Sequence, residues 1–457
     1  MGSNRICSAL LLALCLAACQ AAPDAGPDRA RARALIAERS GFTESHDPEQ
    51  PLTSQEQAEL VAEAALDGLE LCEAQRLALL LNLRLQAGFA ELGVDRAAFA
   101  QAGLLENPSL GLAFLWPSGG GQTRYGFDLL QSVSSLWELE ARQGQAQALL
   151  DQRILELSRF AGELVAETKA AFLEALAAEA TLEAVRQDAE AAERLGQLAR
   201  RRAELGEIDR LDAGLSRAEA QAAALQAERA ALELALARQR LAAQLSLGAG
   251  LGELRLIEPP PAPPEDLDGS GRPLGLESVR RLDLAALEAS IAAARADLDL
   301  ERQRRRRPQT QAGLSGERPE RGSAMTFLTG LAGSIRLPIF DQNLAQVARA
   351  EARLESLEKQ RAALAVEIEL ELSAARQRRA AAEQAVREIE SGLLSSASEN
   401  RALAERLFEL GERDLGARLE AQRTWLCARR LWIEARLERG RSELALERAL
   451  GASLGAP

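Results

Sequence analysis

The sequence predicts a mainly α-helical chain with a transmembrane β part: long coiled-coil hairpins, plus four strands per chain that contribute to a barrel shared between copies. Three observations carry this. Aromatic residues are only 3% of the 457 residues while Ala, Leu, Arg and Glu dominate, the composition of long packed helices. An Arg-x-x-Glu-Leu-Gly-Glu-x-Asp string occurs at Arg201–Asp209 and again at Arg406–Asp414, a constant offset of 205 residues, so one long-hairpin unit is present twice. In two places the apolar period changes from helical to alternating.

Residues 1–18 read as a signal segment. Arg5 supplies a short positive region, and Ile6 to Leu16 is apolar but too short to span a bilayer. Leu16-Ala17-Ala18-Cys19 resembles a bacterial lipobox, which implies cleavage before Cys19 and its acylation with palmitate-type chains; a plain secretory signal is the alternative. By the same resemblance, Gln20 in place of Asp favours the outer membrane. Residues 19–51 form a tether rich in Pro, Asp and Gly, with a helical patch from Arg29 to Arg39 and the chain's single His, His46, read as inert.

The first repeat helix covers 52–106, with breaks expected near Gly68 and Gly93 and a cap at Thr53 or Ser54. Asn107-Pro108 stops it. Across 107–135, Leu110, Leu112, Phe114 and Trp116, then Tyr125, Phe127, Leu129 and Val133, take alternate positions around a Gly-rich turn, the pattern of a β-hairpin. Gln131 and Leu130 break that alternation. From 136 to 247 the period is helical again. Leu150, Leu157, Leu164, Ala171, Ala178 and Val185 recur every seven residues, beside Ile154, Ala161, Thr168, Ala175 and Leu182. This outgoing helix of about 70 residues makes a rod of roughly 100 Å. Gly206 turns it, and the returning helix is expected to pack through Leu211, Ala218, Leu225 and Leu232, flanked by Leu215, Ala222, Leu236 and Ala243, with Arg229 interrupting. Residues 248–275 are a linker with five prolines between Pro259 and Pro264. The order then repeats: a helix over 276–307, a second hairpin over 308–340 with strands near Gln309–Glu317 and Thr326–Leu337, a second long helical hairpin over 341–450, and a tail at 451–457.

The expected strands, about nine to twelve residues each, suit a tilted span of a bilayer. One face is apolar or aromatic; the other carries Asp128, Ser132, Gln311, Ser315, Ser334 and Arg336. A sheet in lipid has no open edge, and four strands are too few to close, so several copies share one barrel. A soluble four-stranded sheet covered by helices is the alternative, but hairpins of roughly 100 Å overhang it. Trp116, Tyr125 and Phe127 suit an interfacial belt, and Arg304 to Arg307 is a basic run beside the third strand, placed at lipid head groups or on a solvated helix end.

The chain resembles the TolC-type outer-membrane efflux channels over nearly all of its mature length. The marks are the lipobox, Gln101-Ala102-Gly103-Leu104-Leu105-Glu106-Asn107-Pro108, Leu337-Pro338-Ile339-Phe340-Asp341, the two tip glycines, and Leu419-Glu420-Ala421-Gln422-Arg423 after the second tip. Gly411-Glu412-Arg413-Asp414 is somewhat like the heavy-metal and cation-efflux branch. The resemblance implies a homotrimer in the outer membrane with twelve strands, a helical tunnel into the periplasm, a periplasmic adaptor protein and an inner-membrane pump as partners, and passive conduction of small molecules or ions.

On this reading Gly206, Gly411, Leu205 and Leu410 dock the adaptor. Glu207, Asp209, Glu412 and Asp414 form acidic rings of a gate, pairing with Arg201, Arg406 or Arg413; the alternative is that Asp209 and Asp414 only cap the returning helices. No cofactor and no metal site are expected: one His and the distant Cys72 and Cys427, read as packed thiols, build no cluster. No catalytic constellation is present. A net charge of −13 with interleaved Arg and Glu gives no stripe for nucleic acid. Two other functions compete: a periplasmic adaptor, which usually has one hairpin between β-rich domains, and a structural coiled-coil lipoprotein, which needs no lipid-length strands.

Overall fold

The computed structural model describes residues 23–40, 59, 68–116, 118, 123–247, 255–259, 281–318, 328–410 and 412–451. Cys19 and the signal segment, His46, the caps at Thr53 and Ser54, most of the 248–275 linker, and Gly411 lie outside them. In chain order the elements are α1 (Gly26–Ser40), α2 (Leu71–Leu81), α3 (Leu83–Ala102), β1 (Ser109–Leu115), β2 (Arg124–Ser132), α4 (Ser134–Glu204), α5 (Arg210–Gln244), α6 (Leu282–Arg306), β3 (Thr310–Glu317), β4 (Leu328–Ile335), α7 (Leu344–Glu388), a π-helical turn (Ile389–Leu394), α8 (Ser395–Glu409) and α9 (Leu415–Leu450). They group into two compact units: a strand-bearing unit (1–32, 88–157, 283–364) and a helical unit (33–87, 158–282, 365–457).

In the strand-bearing unit the strands form one antiparallel sheet in the order β1-β2-β3-β4. Directly paired residues share a face. Leu110↔Leu129, Leu112↔Phe127 and Phe114↔Tyr125 continue into Leu129↔Leu314 and Leu314↔Leu331, one apolar face. Asp128↔Ser315 and Ser132↔Gln311↔Ser334 run along the other, so the polar residues singled out by alternation do share a face. Gln131 falls on the apolar face at its end, where its Nε2 donates to the Glu106 carbonyl at 2.8 Å. Leu130 sits among the small residues, opposite Gly313. A methyl group on Gly313 would run into the Leu129 carbonyl, so close strand approach requires glycine there.

The strands are 7, 9, 8 and 8 residues long, so β2 reaches the expected nine to twelve and the other three fall short of it. Proline, which has no N–H to donate, stands just outside the ladder at Pro108, Pro308 and Pro338. At ~3.3 Å per residue such strands still reach roughly 23–30 Å, near the ~25 Å apolar band of outer-membrane barrels. The apolar face is uncovered: Leu112 is 63% and Leu331 88% exposed. At the turn end, Phe114 meets Tyr125 edge-on (6.0 Å) and stacks with Trp116 (6.4 Å).

Three helical expectations change. The first repeat region is non-helical at Gly68 (φ +96°), as expected, but the helix runs continuously through Gly93 and a further break falls at Asn82. Asn82 Oδ1 accepts from the amides of Arg84 (3.0 Å) and Leu85 (3.1 Å), capping α3, while its Nδ2 donates to the Gln244 carbonyl (2.9 Å). A side-chain cap therefore places the break; a lone helical glycine does not. Cys72 and Cys427 are exposed rather than packed, because each sits off the buried stripe of its helix, marked by Ala74, Leu77 and Leu81 in α2 and by Leu426, Ala428 and Ile433 in α9.

The third change concerns α5. On α4 the expected seam is buried, with Ile154, Ala161, Thr168 and Ala175 fully enclosed. On α5 the leucine seam faces outward: Leu211 is 66%, Leu215 57%, Leu225 58% and Leu232 61% exposed. The buried stripe is Ser216, Ala220, Ala223, Ala230, Leu234, Ala237 and Leu241, a parallel heptad track of mostly small residues. Ala220 and Ala223 pack on Ala192, and Ala230 and Leu234 on Leu182. Small residues let two helices approach closely, so they take the contact within the chain and leave the leucines outside it. Among the described residues no single helix is long and apolar enough to cross a membrane; α2 and α3 pass that test only together, bent by 42°.

Candidate functional site at the hairpin tips

Both tips lie in the helical unit, and the 205-residue repeat is a repeat of hydrogen bonds. At the first tip α4 ends at Glu204, and Gly206 takes a left-handed backbone (φ +75°). The Glu207 amide donates to the Arg202 carbonyl (2.8 Å) and the Gly206 amide to that of Ala203 (3.1 Å). This is a Schellman cap, which glycine enters without Cβ penalty. At the second tip the Glu412 amide donates to the Leu407 carbonyl (2.9 Å), the equivalent bond 205 residues on. Where such caps usually carry an apolar contact, the first tip carries an ion pair, Arg202 Nε to Glu207 Oε2 at 3.8 Å. Leu205 and Leu410 are 75% and 73% exposed, two leucines offered outward from matched positions.

The acidic residues divide by role. The Asp414 carboxylate accepts from the Ala417 amide (3.1 Å) and caps α9. Asp209 stands at the equivalent position before α5, with its side chain making no cap bond. Glu207, Asp209 and Glu412 are exposed. Among the described residues, Arg201, Arg406 and Arg413 form no ion pair with them; Arg202 holds Glu207 instead.

Sequence reading missed the group that joins the two tips. Phe408 is buried, with the Arg202 guanidinium over its ring at 4.9 Å and that of Arg418 at 5.1 Å. Arg418 also pairs with Glu405 at 2.8 Å. A cation on a ring face is stabilised by the ring quadrupole, so the first tip's Arg202 is tied to the second tip's Phe408. The signal was present where the two copies differ: Arg202 and Ala203 correspond to Leu407 and Phe408.

Next to the tips, Gln422 and Arg423 of the Leu419–Arg423 segment bind the other helices. Gln422 Nε2 donates to Asp188 Oδ1 on α4 (2.9 Å), and Arg423 Nε to Glu219 Oε1 on α5 (2.8 Å) as one arm of a two-toothed contact. The Arg423 hydrogen bond holds Glu219 below its usual value and lifts Arg423 above its own. Burial pushes Asp188 up, opposed by the Gln422 hydrogen bond and by Arg430 and Arg423. Beyond this clasp Arg401 covers Trp425 at 4.0 Å, and Trp432 Nε1 donates to Glu390 of the π-helical turn at 2.9 Å. The described residues hold no group of three or more His, Cys, Asp or Glu able to bind a metal ion.

A family model described as "Outer membrane efflux protein" matches residues 275–452. The second half of the chain is thus similar to outer membrane efflux proteins. The matched segment contains β3, β4 and the second tip; the first half of the chain lies outside the match, and its Glu207–Arg202 backbone bond repeats the Glu412–Leu407 bond of the second tip. No curated protein sequence matches the chain. Three solved structures show its fold across both halves. The outer membrane protein VceC of Vibrio cholerae is 18% identical with TM-score 0.68, covering 84% of this chain and 97% of that one. The CmeC outer membrane channel of Campylobacter jejuni is 15% identical with TM-score 0.70, covering 92% and 91%. The open-state MtrE outer membrane channel of Neisseria gonorrhoeae is 19% identical with TM-score 0.66, covering 84% and 90%.

Proposed function

We propose that this chain is the outer-membrane channel of a tripartite efflux system, a passive conduit from a periplasmic adaptor and inner-membrane pump to the exterior. One observation carries the reading. Among the described residues the four-stranded sheet has no strand beyond β1 or β4, and leucines of its apolar face are largely exposed. In hydrocarbon such a sheet persists only if its edges are taken by other strands, so copies of the chain close one barrel. The outward leucines of α5 supply a second surface for the same neighbours. Three copies, twelve strands and an acylated Cys19 anchored in the outer membrane complete the assembly. The efflux-protein match and the channel folds the chain resembles support it.

In this assembly the tips bearing Leu205, Gly206, Leu410 and Gly411 meet the adaptor. Glu207, Asp209 and Glu412, repeated around the axis, present carboxylates that favour cations, and the ties at Phe408 and Arg423 hold the tips together in the closed state. Asp414 belongs to this ring by position while its bond to Ala417 makes it a helix cap. The cargo is selected by the pump.

Planar-bilayer recording on purified protein tests the reading. Discrete pores whose cation selectivity falls when Glu207, Asp209 and Glu412 are changed to glutamine are the expected result. A trimer that inserts but conducts neither as wild type nor after Arg423→Ala and Phe408→Ala release the tips would overturn the conduit.

A further inference from the structure

The basic run Arg304–Arg307 is not used by the conduit itself. It closes α6 in the strand-bearing unit, directly before β3. Arg304 is neutralised within the chain by Glu301 (2.9 Å) and Glu138 (3.3 Å), and Arg302 by Glu351 (2.9 Å). Arg305, Arg306 and Arg307 are exposed, and among the described residues none of them forms an ion pair. Arg307 instead lies over the ring of Trp137 at 5.8 Å. Three uncompensated guanidinium groups in a chain of net charge −13 call for a specific anionic partner.

The surroundings identify that partner as a lipid. The Val133 amide donates to the Thr310 carbonyl (2.9 Å), which brings the start of α4, with exposed Leu136 and Trp137, beside the start of β3. The Arg336 amide donates to the Gln309 carbonyl (2.9 Å), which brings the segment after β4 to the same end of the sheet. There Leu337 and Ile339 are 67% and 66% exposed and Phe340 is wholly exposed. This end of the sheet therefore carries bare apolar and aromatic side chains together with unpaired arginines. The opposite end carries Phe114, Trp116 and Tyr125. Aromatic groups at both ends of an apolar band mark the two bilayer interfaces, and the helical end faces the periplasmic leaflet. The nearby carboxylates pair elsewhere: Glu138 and Glu301 with Arg304, while Asp341 accepts from the Asn343 amide, so none of them forms an ion pair with Arg305, Arg306 or Arg307 among the described residues.

We propose that Arg305, Arg306 and Arg307, with Trp137, form a headgroup site for an anionic phospholipid of the periplasmic leaflet, one site per copy. Guanidinium forks grip the phosphodiester in bidentate fashion. Trp137 sits at headgroup level, and Leu136, Leu337, Ile339 and Phe340 lie against the acyl chains. The site rests on the reading of the sheet as a membrane barrel.

The test uses the full-length protein in nanodiscs of phosphatidylcholine containing a minor fraction of phosphatidylglycerol, followed by lipid extraction and native mass spectrometry. Wild type should retain phosphatidylglycerol above its bulk fraction. Loss of each arginine should weaken retention about fivefold, and R305Q/R306Q/R307Q by about two orders of magnitude in the additive limit. The variant R305K/R306K/R307K should keep only the part of the enrichment that charge alone supplies, retaining less than wild type but more than the glutamine variant, and Arg302→Gln should keep all of it. Enrichment should fall as salt rises. Retention by the triple glutamine variant, or no enrichment in wild type that forms pores, would overturn the inference alone. A wild-type protein that never enters the bilayer would instead remove the barrel reading, and this site with it.

Discussion

Gly206 and Gly214 are eight residues apart, one at the tip and one in its returning helix, yet alanine should act on them with opposite sign. At neither position would an added Cβ meet any atom within 4 Å, so packing does not enter. Gly206 has φ +75°, where an L side chain costs about 1–2 kcal/mol. Gly214 lies inside α5, where glycine is about 0.5–1 kcal/mol worse than alanine. Native-state hydrogen exchange reads both changes locally. The Glu207 amide, bonded to the Arg202 carbonyl at 2.8 Å, reports the first cap. Gly206→Ala should speed its exchange about 5- to 30-fold, with Gly206→Asn less severe. Gly214→Ala should slow exchange in the first turns of α5 by roughly two- to fivefold. Equal effects of one sign at the two glycines would show that backbone handedness does not govern this tip.

Three further outcomes are expected. Asp414→Ala should cost about 1 kcal/mol of local stability at the start of α9, read by exchange at the Ala417 amide, whereas Asp209→Ala should cost less because its side chain makes no cap bond. On acidification, Glu219, held below its ordinary 4.5 by Arg423, contributes stability that is present above that value and drains away as pH falls through its lower folded value. Asp188, raised by burial above 3.8, acts in the opposite sense and favours the fold as it takes up its proton, so Glu219→Gln should flatten the acid side of a tryptophan-fluorescence titration reporting Trp425 and Trp432. Finally, Leu225→Glu with Leu232→Glu should dissociate the proposed trimer in sedimentation experiments while leaving helical content unchanged, since each leucine contributes roughly 1.5–3 kcal/mol when buried; a trimer that survives would remove α5 from the contact between copies.

The parts legible in sequence are those fixed by a short, regular period. Leu110, Leu112 and Phe114 alternate, and alternation is enough to put Asp128, Ser315, Gln311 and Ser334 on the opposite face. Ile154, Ala161 and Thr168 recur at seven, and all are enclosed. The doubled string placed the first tip, because a glycine after a long helical run is a C-terminal cap. What a period does not reveal is which partner a seam meets. On α5 two heptad tracks run in parallel, and the more apolar one, Leu211 to Leu232, faces away from its own chain. Nor does periodicity pair residues distant in sequence: Arg202 with Phe408 and Arg423 with Glu219 come together only through the packing of the two hairpins. Asn82 shows the remaining kind of miss, a break made by a side chain that accepts amide protons where glycine was the expected breaker.

The unpaired edges of the sheet also bear on inheritance. In the proposed barrel β1 and β4 are covered only by other copies, so an isolated chain would pay several kcal/mol for each unmatched group it carried into hydrocarbon, and insertion and assembly would become a single event. A copy whose β4 is blocked, for example by proline at Leu331, would spoil every ring it enters. In a cell making equal amounts of blocked and normal chains, only about one ring of three in eight would be wholly normal. Lesions at these two strands should therefore be dominant, whereas lesions that merely prevent the chain from being made should be recessive.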